Sequence, residues 1–247
     1  MTLTIVGLLA LVGCREKTPG VRIFAAASAQ PAIEQLWFGG PEGLANVHSA
    51  SSSTLARQIE SGARCDLFVS AHPLWLEALI DKGLVSKSAV RVLATNSLVL
   101  AKHRDRAFDR STSFRIATGD PEHVPLGIYA KQALENSGRR DWIDALLPAA
   151  DASAAAELLR RGEVDAAILY RTDVLQRDEL EIVEEIDPKT HDPIELRVAL
   201  LSDAKPSARA WLDHITRDEG RKVLKELGYG VSKSQGGKPA EAKPNGN

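Results

Sequence analysis

The chain has 247 residues, enough for one large domain or two lobes, and its 44% hydrophobic and 26% charged residues are typical of a globular protein. The formal net charge of -2 gives no basic bias, which argues against nucleic acid as a partner. After the N-terminus, no apolar stretch is long enough to predict a membrane-spanning helix.

The N-terminus has the features of an export signal. Residues 1–14 form an apolar run that is too short for a membrane span but has the length of a signal-peptide core. Its last four residues, Leu11-Val12-Gly13-Cys14, are similar to the bacterial lipobox, and this resemblance makes Cys14 a lipidation site. No Lys or Arg precedes the run, which departs from such signals, and an ordinary apolar N-terminus is the alternative. We expect residues 15–20 to be a tether.

Strands alternate with helices along the rest of the chain. This alternation predicts an α/β architecture with mainly parallel pairing. Residues 231–247 have no apolar periodicity, and we expect a disordered tail. Strands are predicted over 21–27, 45–49, 66–71, 97–101, 115–118, 166–170, 182–185 and 196–201. Helices are predicted over 31–36, 51–62, 73–82, 128–136, 151–162, 207–215 and 220–227.

Four hydroxyl residues, 51–54, lie at the start of the second of these helices. Ser and Thr at a helix start accept bonds from free backbone N–H groups. Other N–H groups at that end can bind an oxyanion without any lysine or arginine. Similar turns follow the strands that end near Ala27, Thr118 and Tyr170, and ligands of open α/β sheets bind at the carboxyl ends of strands. Four such turns could surround one small anion, although a capped surface helix is the simpler interpretation of residues 51–62 alone.

Several of these stretches resemble the molybdate-binding proteins of bacterial ABC transporters. The resemblance rests on residues 24–28, 50–60, 66–71, 96–100 and 119–131, and it extends over residues 21–229. It implies a two-lobed, type II-like periplasmic-binding-protein fold with the ligand in the cleft between the lobes. Lobe I would comprise residues 21–95 and 193–230, and lobe II residues 96–192. Crossing strands near Ser97 and Leu196 would form the hinge.

The resemblance also implies a set of oxyanion ligands. These are the hydroxyl groups of Ser28, Ser52 and Tyr170 and the backbone N–H groups of Leu126 and Ala152. Family members commonly have a smaller Ala at the position of Leu126 and a larger Val at that of Ala152, differences that a backbone donor tolerates. Arg171 either reaches the anion or points into solvent.

The implied function is that of an extracytoplasmic solute-binding protein. It would capture molybdate and tungstate and deliver them to the membrane permease of an ABC importer, as a monomer with no cofactor and no enzymatic activity. Molybdate near neutral pH is a dianion whose oxygens only accept hydrogen bonds. Monoprotonated phosphate would leave its proton unpaired in a site made of donors, at a cost of about 1–3 kcal/mol. Sulfate, like molybdate, carries no proton near neutral pH, so the size of the pocket would have to exclude it.

Three alternatives remain open at this stage. The same fold could bind sulfate, phosphate or another oxyanion, or the chain could be a lipid-anchored interaction protein without a small ligand. A serine hydrolase would use Ser52 or Ser28 with His123 and Asp120, but the sequence has no Gly-x-Ser-x-Gly elbow. We interpret His123, beside Asp120 and Glu122, as part of a hydrogen-bonded turn and not as a metal ligand. Cys65 precedes a predicted strand and is expected to be buried and unreactive.

Overall fold

The computed structural model describes residues 20–37 and 45–231, which form two five-stranded sheets with helices packed on their faces. The strands are β1 (Val21–Ala26), β2 (Ala45–Ala50), β3 (Leu67–Ser70), β4 (Val85–Thr95), β5 (Leu98–His103), β6 (Ile116–Gly119), β7 (Leu146–Ala149), β8 (Ala166–Tyr170), β9 (Leu180–Glu185) and β10 (Glu195–Leu201). The helices are α1 (Gln30–Trp37), α2 (Ser52–Glu60), α3 (Pro73–Asp81), α4 (Pro125–Asn136), α5 (Ala152–Arg161), α6 (Arg171–Leu175), α7 (Pro206–Thr216) and α8 (Asp218–Glu226).

Three of the expectations concern residues that lie outside this description. They are the signal with Cys14, most of the tether, and the tail after Val231. Each of them stays a prediction. Within the described ranges, no helix has both the length and the apolar character needed to cross a bilayer.

The two sheets share one plan. Lobe I contains the order β2-β1-β3-β10-β4, and lobe II the order β7-β6-β8-β5-β9. In each sheet three neighbouring strands are parallel, and the fourth strand in the order is antiparallel to both of its neighbours. The predicted two-lobed α/β fold is confirmed, but the prediction of mainly parallel pairing is wrong. The antiparallel strands, β5 and β10, are the ones by which the chain crosses into the other lobe.

Apolar strands are buried on both faces, which explains their continuous hydrophobic runs. In lobe I, Ile23 and Leu67 pack in one core, whereas their chain neighbours Phe24 and Phe68 pack in a second core on the opposite face. This alternation is the two-residue period of a strand. Lobe II has one continuous core that joins its strands to α4 and α5. Each lobe therefore has a rigid scaffold from which strand ends can present a site.

Strong start and stop signals fix the predicted helices. Ser51 and Asp151 cap α2 and α5, accepting hydrogen bonds from the N–H groups of Thr54 and Ala154 at 3.2 and 2.8 Å. Gly162 ends α5 at φ +71°, a left-handed conformation that favours glycine. Helix α4 begins at Pro125, three residues before the predicted start, because proline is well suited to the first helical position.

The elements that sequence analysis missed are β4, β7 and α6. Strand β4 is a sheet edge with several exposed polar residues, so it lacks a clear hydrophobic period. Strand β7 is a four-residue edge strand containing Pro148, and proline in a sheet is confined to such positions. Helix α6 has only five residues and follows β8 without a loop.

The crossings between the lobes lie side by side. The backbone N–H of Asn96, in the β4–β5 crossing, donates to the carbonyl of Ile194, just before β10, at 3.0 Å. Thr95 also pairs with Gly230, with N···O distances of 2.7 and 3.0 Å in the two directions. The Asn96 side chain donates to the hydroxyl of Thr172 at 2.8 Å. Four segments thus meet where the lobes join: the two crossings, the start of α6 and the residues after α8.

Candidate functional site

A small cavity lies between the lobes, at the carboxyl ends of the parallel strands of both sheets. Its volume is about 10 Å³, which leaves no room for a sugar or a peptide. All five residues singled out from the sequence line it: Ser28, Ser52, Leu126, Ala152 and Tyr170. The wall is completed by Ala26, Ala27, Ser51, Ala71, Val124, Pro125 and Asp151.

Ser28 lies in a 3-10 turn, Ala27–Ala29, between β1 and α1, and is 6% exposed. The hydroxyl of Tyr229, close to the described C-terminus, donates to the Ser28 carbonyl at 2.5 Å. Tyr229 belongs to the core of lobe I. The last residues of the fold therefore fix the turn that presents Ser28, a contact over 201 residues of chain that sequence reasoning did not find.

Ser52 is the first residue of α2 and is 1% exposed. Its Oγ accepts a hydrogen bond from the Ala71 N–H at 3.0 Å, so its own hydroxyl proton remains available for a ligand. Ser51 and Ser53 have other partners. Their hydroxyl groups lie 2.9 Å from each other, and Ser51 caps the helix. Of the three serines, Ser52 is the one whose donor is free to face the cavity.

Helices α4 and α5 bring backbone donors from lobe II. The first N–H groups of a helix have no partner within it, so those of Leu126 and Ala152 are available at the positive ends of their helices. Gly127 holds α4 close to β6: a Cβ atom there would lie 2.1 Å from the Gly119 carbonyl oxygen. Only glycine allows this approach.

Tyr170 ends β8 and is 1% exposed. Burial raises the pKa of its phenol well above the usual value, with a further contribution from the nearby Tyr129 and Asp173, so the group stays protonated. Its hydroxyl has no hydrogen-bond partner among the described residues. A buried donor of this kind needs an acceptor, and the cavity is where one can sit.

The charge around the cavity comes from helix ends and not from cations. None of the described residues that line it is Lys, Arg or His, and Asp151 is the charged member of the wall. The hydroxyl residues Ser28, Ser52 and Tyr170 and the N-termini of α2, α4 and α5 converge there. Such a donor set can hold an anion without a counter-charge.

The residues considered for a serine hydrolase, a metal site or a direct arginine contact are not brought together at the cavity. His123 forms a 2.8 Å hydrogen bond with Asp120 and is absent from the cavity wall, and no bond joins it to Ser28 or Ser52 in the described structure. Within the described ranges, no group of three or more His, Cys, Asp or Glu side chains could hold a metal ion. Arg171 turns away from the cavity and donates to Glu185 at 3.1 Å. Cys65 is 4% exposed, and burial raises the pKa of its thiol to about 12.

Comparison with known proteins identifies the family of this chain. The family model for bacterial extracellular solute-binding proteins matches residues 21–230. The molybdate-binding protein ModA of Escherichia coli is 34% identical over 228 residues, which cover 85% of this chain and 89% of that protein. A putative ABC transporter substrate-binding lipoprotein of Bacillus subtilis, YvgL, is 31% identical over 87% of each chain. The periplasmic molybdate-binding protein of Azotobacter vinelandii superposes with a TM-score of 0.76 over 86% of this chain and all of that one, at 19% identity, a likeness of fold alone. This chain therefore belongs to the family of bacterial extracellular solute-binding proteins.

Proposed function

We propose that the chain captures molybdate, and with it tungstate, outside the cytoplasm and delivers it to the membrane permease of an ABC importer. The observation that carries the proposal is the buried, protonated and unpartnered hydroxyl of Tyr170 at the cavity wall. Leaving such a group unpaired costs about 1–3 kcal/mol, and a tetrahedral dianion supplies acceptors in every direction. The name of the E. coli relative supports this choice of anion.

In the proposed complex, both lobes hold the anion. Ser28 and Ser52 donate from lobe I, while Tyr170 and the backbone N–H groups of Leu126 and Ala152 donate from lobe II. Each hydrogen bond to a charged group contributes on the order of 1.5–3 kcal/mol. Five such bonds, after the cost of association, correspond to affinities of about micromolar to nanomolar.

The remaining parts of the proposal concern the cellular context. Cys14 carries a lipid anchor, in line with the name of the B. subtilis relative, and the chain acts as a monomer without catalysing a reaction. Residues 21–95 and 193–230 form the lobe that provides Ser28 and Ser52, and residues 96–192 form the lobe that provides Tyr170. Binding favours the closed arrangement because only there do the donors of both lobes reach one anion.

A second candidate ligand is hydrogen phosphate, and one observation favours it. Asp151 is one of the residues that line the cavity, and one of its carboxylate oxygens caps α5 through the Ala154 N–H. The other oxygen could accept the proton of a monoprotonated anion. A site with an acceptor would then lose the discrimination against phosphate that a site of donors alone provides.

Calorimetric titration with molybdate, tungstate, sulfate and phosphate tests the proposal. We expect binding of the first two at micromolar affinity or tighter, with sulfate and phosphate weaker by at least tenfold. Absence of heat with molybdate and tungstate would contradict the proposed function. Tighter binding of phosphate than of molybdate would favour the second candidate.

A further inference from the structure

Tyr129 connects the two lobes directly. It lies on α4 of lobe II, three residues after Leu126 and thus on the same side of the helix, and its side chain is fully buried. Its hydroxyl donates to the carbonyl oxygen of Ala71, which follows β3 of lobe I, at 3.3 Å. This hydrogen bond crosses the cleft, so it exists only while the lobes are together.

The ring of Tyr129 lies between two histidines from other parts of the chain. Its centroid is 5.0 Å from that of His72 in lobe I and 6.1 Å from that of His191, in the crossing before β10. His72 has a fixed position because its Nδ1 caps α3, accepting from the Leu74 N–H at 3.2 Å. Burial lowers the pKa of His72, which favours the neutral ring and leaves the tyrosine against an uncharged surface. Lobe I, lobe II and the hinge segment therefore meet at one aromatic contact.

The same backbone segment serves the anion site. Ala71 accepts from Tyr129 through its carbonyl and donates through its N–H to the Oγ of Ser52. On the other side of the cleft, Tyr129 and Leu126 share α4. Closing the contact thus places the donors of Ser52 and Leu126 on opposite sides of the cavity in one step.

We infer that Tyr129 is the latch of the closed state, a positioning residue that sets how long the bound anion is retained without touching it. The inference rests on the proposed anion-binding function. A hydrogen bond of 3.3 Å is long for two oxygens, so its net contribution lies in the lower part of the usual range. Losing it should speed release of the anion by about two- to fivefold, while capture by the open form is unaffected.

Tyr129→Phe removes the hydroxyl and keeps the ring. We expect molybdate to dissociate about two- to fivefold faster in a competitor-chase stopped-flow experiment, with an association rate within twofold of the unaltered protein. Thr216→Val is the matched control, because its hydroxyl donates to the Leu212 carbonyl at 2.8 Å within α7. It removes a bond of the same kind inside lobe I, so its dissociation rate should not change.

A second variant changes the residue of lobe I that packs on Tyr129. His72→Asn keeps an acceptor for the Leu74 N–H but removes the ring that packs on Tyr129. It should also speed dissociation, and the double variant with Tyr129→Phe should be less than additive, since both changes act on one contact. Strictly additive effects on the dissociation rate would show that the two residues act independently, which would contradict the inference.

The distance between the lobes gives a measurement that needs no ligand. Labels at Ser61→Cys and Ser137→Cys, exposed positions at the ends of α2 and α4, report lobe separation once Cys14 is replaced by Ser. Tyr129→Phe should shift the ligand-free distribution toward longer distances. Unchanged distances together with an unchanged dissociation rate would refute the inference. If the unaltered protein does not bind molybdate, the proposed function is wrong. The ligand-free distances would still test whether Tyr129 holds the two lobes together.

Discussion

Ser51, Ser52 and Ser53 are neighbours in the chain, yet their hydroxyl groups serve different partners. Ser51 caps α2 and bonds to Ser53 and Thr54, all within one helical turn. Ser52 instead accepts from the N–H of Ala71, which follows β3, and keeps its proton for the cavity. Burial does not distinguish them, since all three are at most 5% exposed. The direction of each hydrogen bond distinguishes the three serines.

The first prediction follows from this difference. Ser52→Ala should weaken molybdate binding by roughly 10- to 100-fold, the equivalent of one hydrogen bond to a charged group. Ser51→Ala should cost about 1 kcal/mol of stability through the lost cap but change the affinity far less. Calorimetry gives the affinities, and urea denaturation gives the stabilities. Equal losses of affinity in the two variants would contradict the assignment of Ser52.

The buried carboxyl group of Asp173 makes the stability of the protein depend on pH. It is 4% exposed, one carboxylate oxygen has no hydrogen-bond partner in the described structure, and the other lies 4.0 Å from Nη1 of Arg177. Burial raises its pKa to about 7, opposed by Arg177 and by the backbone amide of Tyr170. Because the folded state holds this proton more tightly than the unfolded chain, its stabilising effect is full below pH 4 and is lost as pH rises to about 7.

Asp173→Asn should therefore be more stable than the unaltered protein above pH 7, by up to a few kcal/mol, and the gain should shrink toward pH 4. The amide keeps an acceptor for the Tyr170 N–H. Melting temperatures between pH 4 and 8 measure the effect. Asp109→Asn is the control of opposite sign, since hydrogen bonds from Ser111 lower the pKa of that exposed carboxyl. A gain in stability that does not vary with pH would refute the role assigned to the buried charge.

The cavity lies where the N-termini of three helices come together. Helices α2, α4 and α5 all begin at the cavity, two of them with a polar cap and one with proline at its first position. The cap of α5 has a second consequence, because Asp151 places a negative charge in the wall of an anion site. The same side chain caps the helix and, if the proposed function is correct, should repel the bound anion.

Asp151→Asn separates these two effects. Asparagine is as good a cap as aspartate, so the helix should keep its stability while the repulsion is removed. We expect molybdate to bind several-fold more tightly, as measured by calorimetry at low ionic strength. Asp151→Ala should lose about 1 kcal/mol of stability in addition. Weaker molybdate binding by Asp151→Asn would contradict this account, and a selective loss of phosphate binding would show that the carboxylate accepts the phosphate proton.

Elements with a local signal in the sequence could be predicted, whereas elements and contacts without such a signal could not. Helices with caps and strands buried on both faces, such as α5 and β8, were found within a residue or two. The edge strand β4 has no such pattern, because its exposed face tolerates any polar residue. The cavity residues were found through motifs at strand ends and a family resemblance. The contacts of Tyr129 with Ala71 and of Tyr229 with Ser28 span 58 and 201 residues and leave no periodic signal, so only the fold reveals them.

For the whole molecule, the two similar sheets matter because the proposed donors come from both: two from lobe I and three from lobe II. An anion held from both sides should stabilise both lobes at once, as any ligand that binds only the folded state does. At a concentration 100 times its Kd, molybdate should add about 2.7 kcal/mol, which raises the melting temperature of a chain of this size by roughly 5–10 °C.

Amide hydrogen exchange with and without molybdate tests whether this gain reaches both halves. Amides of β1 in lobe I and of β6 in lobe II should slow by similar factors, because neither lobe can release the anion without opening the cleft. Ser52→Ala at the same molybdate concentration should reduce both effects together, since its higher Kd lowers the occupancy. Protection confined to the strands of one lobe would mean that the anion binds on that lobe alone, and the cavity between the sheets would not be its site.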